Sequence, residues 1–274
     1  MPDAGARSGV VLYDKPAGVT SHDVVASVRR NLAARIKIGH AGTLDPFATG
    51  LLLILVGRAT RVQRFLMALP KRYEATARFG ATSTTGDPEG EIVETGLVPE
   101  GDLRLPQGRL RQVPPAYSAI KIAGERAYAL ARAGREFELP ERQVEVYRFE
   151  ERWRDGPRRG FEIECSSGTY VRSLIADLGD AYCEELRRTA IGPFQVRDAD
   201  PERIIPLNEA LAFIPERRLE PEASRRASHG AAISLAGAHD GPALVRLTDA
   251  EGLIALAEFR HGAGELKPTV VLRG

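Results

Sequence analysis

The segment Gly39-His40-Ala41-Gly42-Thr43-Leu44-Asp45-Pro46-Phe47-Ala48-Thr49-Gly50 gathers a carboxylate, a histidine, hydroxyls and three glycines directly before an apolar run, Leu51 to Val56. A run of that kind between Gly50 and Gly57 reads as a buried strand. Polar groups at the mouth of such a strand sit where sites are built on a rigid scaffold. Asp45 is the one acid in the segment, which suits a single carboxylate acting as a nucleophile. Pro46 biases Asp45 toward extended backbone, and so toward one pose. The structural alternative is an Asx-turn, in which Asp45 only caps the bend. No Gly-Lys-Ser/Thr follows the glycines, so the segment does not read as a nucleotide-phosphate loop.

Arg172 is the natural counter-charge. It falls in the first turn of a predicted helix, two residues after Tyr170. The helix dipole disfavours a cation there, so a partner outside the helix is expected. Paired with a buried carboxylate, the guanidinium would keep that acid ionised; taken alone, Arg172 reads equally as a surface residue. Tyr73 and Tyr170 read as core aromatics or as a stacking floor for a base. His40 reads as a turn histidine or as an RNA contact. No His/Cys/Asp cluster has metal-ligand spacing, and Cys165 and Cys183 form no CxxC pair.

The elements that must position these groups follow from periodicity and turn signals. Val10–Tyr13 reads as a strand stopped by Lys15-Pro16-Ala17-Gly18. Thr20-x-x-Asp23 resembles a capping box opening a helix with Val24, Val25, Val28 and Leu32 on one face. A second helix is expected near 59–69. Residues 72–79 alternate strictly, with Tyr73 in the inward set. A short helix from Glu125 ends before Gly134, strands are expected over 144–149 and 161–165, and a helix follows Ser166-Ser167-Gly168-Thr169-Tyr170. After a polar stretch near 215–228, four short apolar runs (232–235, 243–247, 253–259 and 269–272) suggest a small β module behind a linker.

The 274 residues have a formal net charge of +1, with 43% hydrophobic residues and no apolar run long enough to span a bilayer. The balance fits a globular protein of a reducing cytoplasm. Near-neutrality hides a pattern. Residues 29–78 hold ten Lys/Arg against Asp45 and Glu74, and residues 104–135 hold seven against Glu125. Between them, residues 87–102 hold six acids and no base. Two basic blocks fit a phosphate-binding face; the alternative is solvated charge scattered in three dimensions.

Together these segments resemble the bacterial tRNA pseudouridine-55 synthases of the TruB type. Lys15-Pro16-x-Gly18-x-Thr20-Ser21 looks like the family's first motif, and the 39–50 segment like its catalytic loop, intact. Lys71-Arg72-Tyr73 resembles the segment with the active-site tyrosine. Tyr117-Ser118-Ala119-x-Lys121-x-x-Gly124 resembles the RNA-gripping thumb. Ser167-Gly168-Thr169-Tyr170-x-Arg172-Ser173-Leu174 resembles the motif with the catalytic arginine, and Leu186-Arg187-Arg188-Thr189 the motif whose leucine lines the base pocket. The matches run from about Val10 to Phe194.

The resemblance implies an α+β fold with a bent, largely antiparallel mixed sheet flanked by helices. It implies a catalytic domain over 1–220, a thumb at about 112–145, and a PUA-like RNA-binding module over 221–274. The implied activity is isomerisation of a uridine in the tRNA T-loop, at position 55. It needs no cofactor, metal, membrane or obligatory protein partner, and the chain would act as a cytoplasmic monomer. Asp45 would be the nucleophile, attacking C6 of the uracil or C1′ of the ribose. Tyr73 would stack on the flipped base, Arg172 would pair with Asp45, and Leu186 would line the pocket. His40, Tyr170, Lys15 and Lys121 would contact RNA. The rivals are a uracil N-glycoside hydrolase, which needs a second carboxylate to activate water, and an RNA-binding or tRNA-chaperone protein of the same fold.

Overall fold

A computed structural model of the chain describes residues 8–32, 36–118, 120–122, 124–135, 137–234, 243–260 and 264–273. Among them, apolar runs become central strands. Strand β1 (Gly9–Lys15) pairs antiparallel with β3 (Thr49–Val56), whose residues after Thr49 are all buried. One face of β3 (Leu51, Leu53, Leu55) packs with Val10 and Leu12. The other (Leu52, Ile54, Val56) packs under Val24, Val25 and Val28 of helix α1 (Ser21–Asn31). The expected capping box of α1 is present, with reciprocal bonds between Thr20 and Asp23. Strand β2 (Ile38–His40) pairs with β3.

The helix expected over 59–69 is divided. Residues Gly57–Val62 form a 3₁₀ turn, and only Gln63–Met67 (α2) is α-helical. The Thr60 hydroxyl bonds back to the Gly57 carbonyl at 2.9 Å, competing with the α-helical pattern. Strand β4 (Lys71–Phe79) keeps the expected alternation, with Tyr73, Ala75, Ala77 and Phe79 buried on one side. Strand β5 (Ala81–Ser83) pairs with β6 (Ile92–Glu94) of the acidic segment in a two-stranded ladder. Next come β7 (Gly108–Gln112), β8 (Lys121–Ile122), β9 (Glu125–Arg126) and α3 (Ala127–Arg132). The hairpin of β10 (Arg142–Asp155) and β11 (Arg158–Cys165) is longer than its apolar cores implied. Helix α4 (Val171–Ala176) follows.

Strand β12 (Ala181–Ile191) is central to the sheet, although the sequence pattern suggests no element there. Two register shifts and the charges of Glu184, Glu185, Arg187 and Arg188 break its alternation. Short β13 (Phe194–Gln195) and β14 (Asp200–Pro206) complete a ten-stranded sheet, whose path is β14-β1-β3-β12-β4-β11-β10-β7. All its ladders are antiparallel except β3–β12, which is parallel and only two residue pairs long: Arg187 with Thr49, and Arg188 with Gly50.

After α5 (Leu207–Ala210), a second sheet begins earlier than the expected boundary at 221. Strand β15 (Glu216–Arg218) pairs parallel with β17 (Leu244–Asp249), so this part of the polar stretch belongs to the module. Helix α6 (Pro221–Ser228) follows. With β16 (Ile233–Ser234), β18 (Gly252–Arg260) and β19 (Glu265–Val271), the second sheet has five strands. Leu235, the last residue of the expected 232–235 strand, lies outside the described residues. Leu256 and Leu272 join the Leu51–Leu53–Leu55 cluster, so the two sheets share apolar packing. Among the described residues no helix is long and apolar enough to cross a membrane.

Candidate active site

The loop carrying Asp45 leaves the sheet at the two-pair β3–β12 junction. Gly50 must be glycine there: its φ is +103°, and a Cβ would lie 2.3 Å from the Arg188 carbonyl oxygen. Every carbonyl from Gly42 to Pro46 is held. Arg188, almost fully buried, donates to Gly42 at 3.1 Å, Thr43 at 3.3 Å and, through Nε, Leu51 at 2.7 Å. The Ser21 hydroxyl donates to Leu44 at 3.2 Å, and Ala48 N–H bonds Asp45 at 3.2 Å. Pro46 accepts from Gly18 N–H at 2.9 Å and Lys15 Nζ at 3.1 Å. The loop is therefore rigid on both flanks of the carboxylate.

The Asp45 side chain keeps 31% of its exposure, and its Oδ2 lies 2.8 Å from Nε of Arg172, which is 3% exposed. Nε has no aligned hydrogen-bond acceptor, so this contact is a charge pair. The other guanidinium nitrogens fix the plane. Nη1 meets Thr85 O at 2.6 Å and Asp87 Oδ2 at 3.0 Å, and Nη2 meets Tyr117 O at 2.9 Å. The cation that the helix dipole disfavours is thus held by two carboxylates and two carbonyls. Burial pushes the Asp45 carboxyl above the usual carboxylate range; Arg172 opposes this, Asp87 adds to it, and Lys15 draws it down more weakly.

Asp45 is the one acid of its segment, but the structure brings a second carboxylate, Asp87, to Arg172 from outside it. Asp87 is buried, and its Oδ1 accepts from Thr85 Oγ1 at 2.5 Å and Glu89 N–H at 3.0 Å. With Oδ2 on Arg172, both oxygens are occupied. Arg188 was missed as well; the nearest signal was its motif neighbour Leu186.

The other expected residues fall in two groups. Tyr73 and Leu186 are buried in one cluster with Leu44 and Ala48 of the Asp45 loop. Burial pushes the Tyr73 phenol up to about 12, so it stays protonated at neutral pH. Leu186, Phe47, Thr49 and Arg187 also line a cleft of about 900 Å³. Lys15 is not placed to grip RNA: it has no exposed surface, and its ammonium donates to Pro16, Val19 and Pro46 carbonyls. Burial lowers its pKa to about 8. His40 is half-buried and packs edge-to-face with His22 at 5.4 Å; burial and His22 hold its pKa below the ordinary value. Tyr170 caps α4, with the Arg142 guanidinium 5.3 Å from its ring centre. Lys121 lies in β8, but its side chain falls outside the described residues.

The basic blocks are partly neutralised in space. Arg64, Arg72 and Arg78 pair with Glu258, Glu164 and Glu94, and Lys71 is buried against the Met67 and Leu69 carbonyls. Arg30, Lys37, Arg61, Arg104 and Arg109 remain exposed.

Residues 29–171 match the family described as TruB family pseudouridylate synthase (N terminal domain). The chain belongs to this family. It is 44% identical to tRNA pseudouridine synthase B of Thermobifida fusca over 97% of this chain and 99% of that one. It is 42% identical to tRNA pseudouridine synthase B of a Mycobacterium strain over 100% and 99%. The solved structure described as a Cbf5-Nop10-Gar1 complex superposes with a TM-score of 0.70 at 27% identity, over 96% of this chain and 84% of that one. As a TruB family member the chain is a pseudouridine synthase, an isomerase, and its α+β fold is that of the family.

Proposed function

We propose that this synthase acts on tRNA, at uridine 55 of the T-loop, with Asp45 as nucleophile. The names of the relatives support tRNA as the substrate class. The observation that carries the mechanism is the 2.8 Å Asp45–Arg172 pair, set in a clamped loop beside the buried Tyr73 and Leu186. The target base leaves its stack and enters against Tyr73 and Leu186. Asp45 attacks C6 of the uracil or C1′ of the ribose. The N1–C1′ bond breaks, the base turns and C5–C1′ forms; the Asp45–carbon bond breaks to restore the carboxylate, and the proton lost from C5 is balanced by one gained at N1, so the reaction is a net isomerisation. Tyr73, with its high pKa, serves as stacking face and neutral donor.

Arg172 holds Asp45 ionised against burial, and the exposed arginines and lysines take phosphates without sequence preference. The second sheet adds RNA contact in the manner of a PUA module. The enzyme works as a cytoplasmic monomer without protein partners.

The hydrolase rival needs a free second carboxylate. The nearest candidate, Asp87, has both oxygens engaged and little solvent access, which favours isomerisation. The test is a T-stem-loop RNA incubated with the protein and analysed for nucleosides. A new C-glycoside without free uracil supports the reading, and free uracil without a C-glycoside sinks it.

A further inference from the structure

Residues 113–141 leave the sheet at the end of β7 and return at the start of β10, so Gln112 and Arg142 form their root, facing each other across the ladder. Both hold Tyr170. The buried Gln112 amide bonds both backbone groups of that one residue: Nε2 donates to the Tyr170 carbonyl at 3.0 Å, and Oε1 accepts from Tyr170 N–H at 2.8 Å. Arg142 lies over the Tyr170 ring and donates to the Gly168 carbonyl at 3.3 Å.

Tyr170 is the N-cap of α4, and no side chain caps that helix. Helix α4 has six residues, so its start is fixed by whatever holds Tyr170. Two further bonds tie its first turn to the outgoing strap: Ser173 Oγ to the Val113 carbonyl at 3.2 Å, and Arg172 Nη2 to the Tyr117 carbonyl at 2.9 Å. Gln112 replaces a missing backbone ladder here. An amide that satisfies both polar groups of a peptide holds it as a β-bridge would.

We propose that Gln112 is a positioning residue that couples segment 113–141 to the Asp45–Arg172 pair. When the segment is set, Gln112 fixes Tyr170, α4 begins in register, and the Arg172 guanidinium faces Asp45. The inference rests on Asp45 and Arg172 forming the reacting centre. The charged groups that face Asp45 are Arg172, Asp87, Lys15 and Glu89, and of these Arg172 is bonded to the strap.

The experiment measures kcat, tRNA Kd and the pH profile of kcat in the full chain. Gln112→Met keeps volume and removes both bonds, whereas Gln112→Glu keeps the acceptor and loses the donor. A misplaced Arg172 predicts a kcat lower by about ten- to a hundredfold in Gln112→Met, with an intermediate value in Gln112→Glu and tRNA Kd unchanged. The acid limb moves to higher pH, because Asp45 loses part of its counter-charge. A purely structural role lowers the active fraction and leaves that limb in place, which overturns the proposal. So does unchanged kcat, or weakened binding at unchanged kcat. If Gln112→Met does not fold, Gln112→Glu carries the same readouts. An active Asp45→Asn protein sinks the reading of the site itself. Wild-type behaviour of the Gln112 variants beside an inactive Asp45→Asn sinks only the coupling.

Discussion

Asp87 stands behind Arg172: its Oδ2 is 3.0 Å from Nη1 of the guanidinium whose Nε lies 2.8 Å from Asp45. The cation is therefore shared by a partly exposed carboxylate and a buried one. Asp87→Asn loosens Arg172 and removes a like charge from Asp45. The expected kcat falls by about ten- to a hundredfold, on the order of 1.4–2.8 kcal/mol of barrier. On the acid limb the two changes oppose each other, the lost Asp87 charge lowering the Asp45 pKa and the loosened Arg172 raising it, so the plateau kcat is the readout. Wild-type kcat contradicts the shared-cation account.

Asp45 carries a folded-state pKa above its ordinary value, chiefly through burial. The native state thus holds this proton more tightly than the unfolded chain. That contribution to stability is fully present below the unfolded pKa of 3.8 and is lost as pH rises through the folded value. At neutral pH the ionised carboxylate burdens the fold. Asp45→Asn is expected to melt at a higher temperature than wild type at pH 7, with the gap closing toward pH 4. A lower melting temperature at pH 7 contradicts the burial argument.

Much of the fold was legible because local chemistry settles it. The apolar run 51–56 has no other fate than a buried strand, and Thr20 and Asp23 cap α1 without help from elsewhere. The pairing of Asp45 with Arg172 was legible, as an acid and a cation that its helix dipole disfavours. Asp87 was not, because Gly86-Asp87-Pro88 reads as an exposed turn until Arg172 arrives from a distant helix. Arg188 sits beside Arg187 in a strand with two register shifts, and nothing local says which turns inward. Lys15 reads as an exposed cation before a proline; three carbonyls converging on it are a tertiary fact.

Lys15 separates structure from binding. Lys15→Met orphans three carbonyl contacts and is expected to lower stability by about 3 kcal/mol, measured by denaturant unfolding. Wild-type affinity for tRNA should fall steeply as salt rises. Lys15→Met leaves that slope unchanged, whereas replacing the exposed Arg109 by Ala reduces it by about 1. A smaller slope in Lys15→Met would return Lys15 to the RNA-binding surface.

The central claim is that Asp45 performs the covalent step on a T-loop uridine. Position-specific pseudouridine mapping of tRNA treated with wild-type or Asp45→Asn protein tests it most directly. The account predicts one modified T-loop uridine with wild type, and none with Asp45→Asn at concentrations where that variant still binds tRNA. Pseudouridine formed by the Asp45→Asn protein, or none formed by wild type, contradicts it.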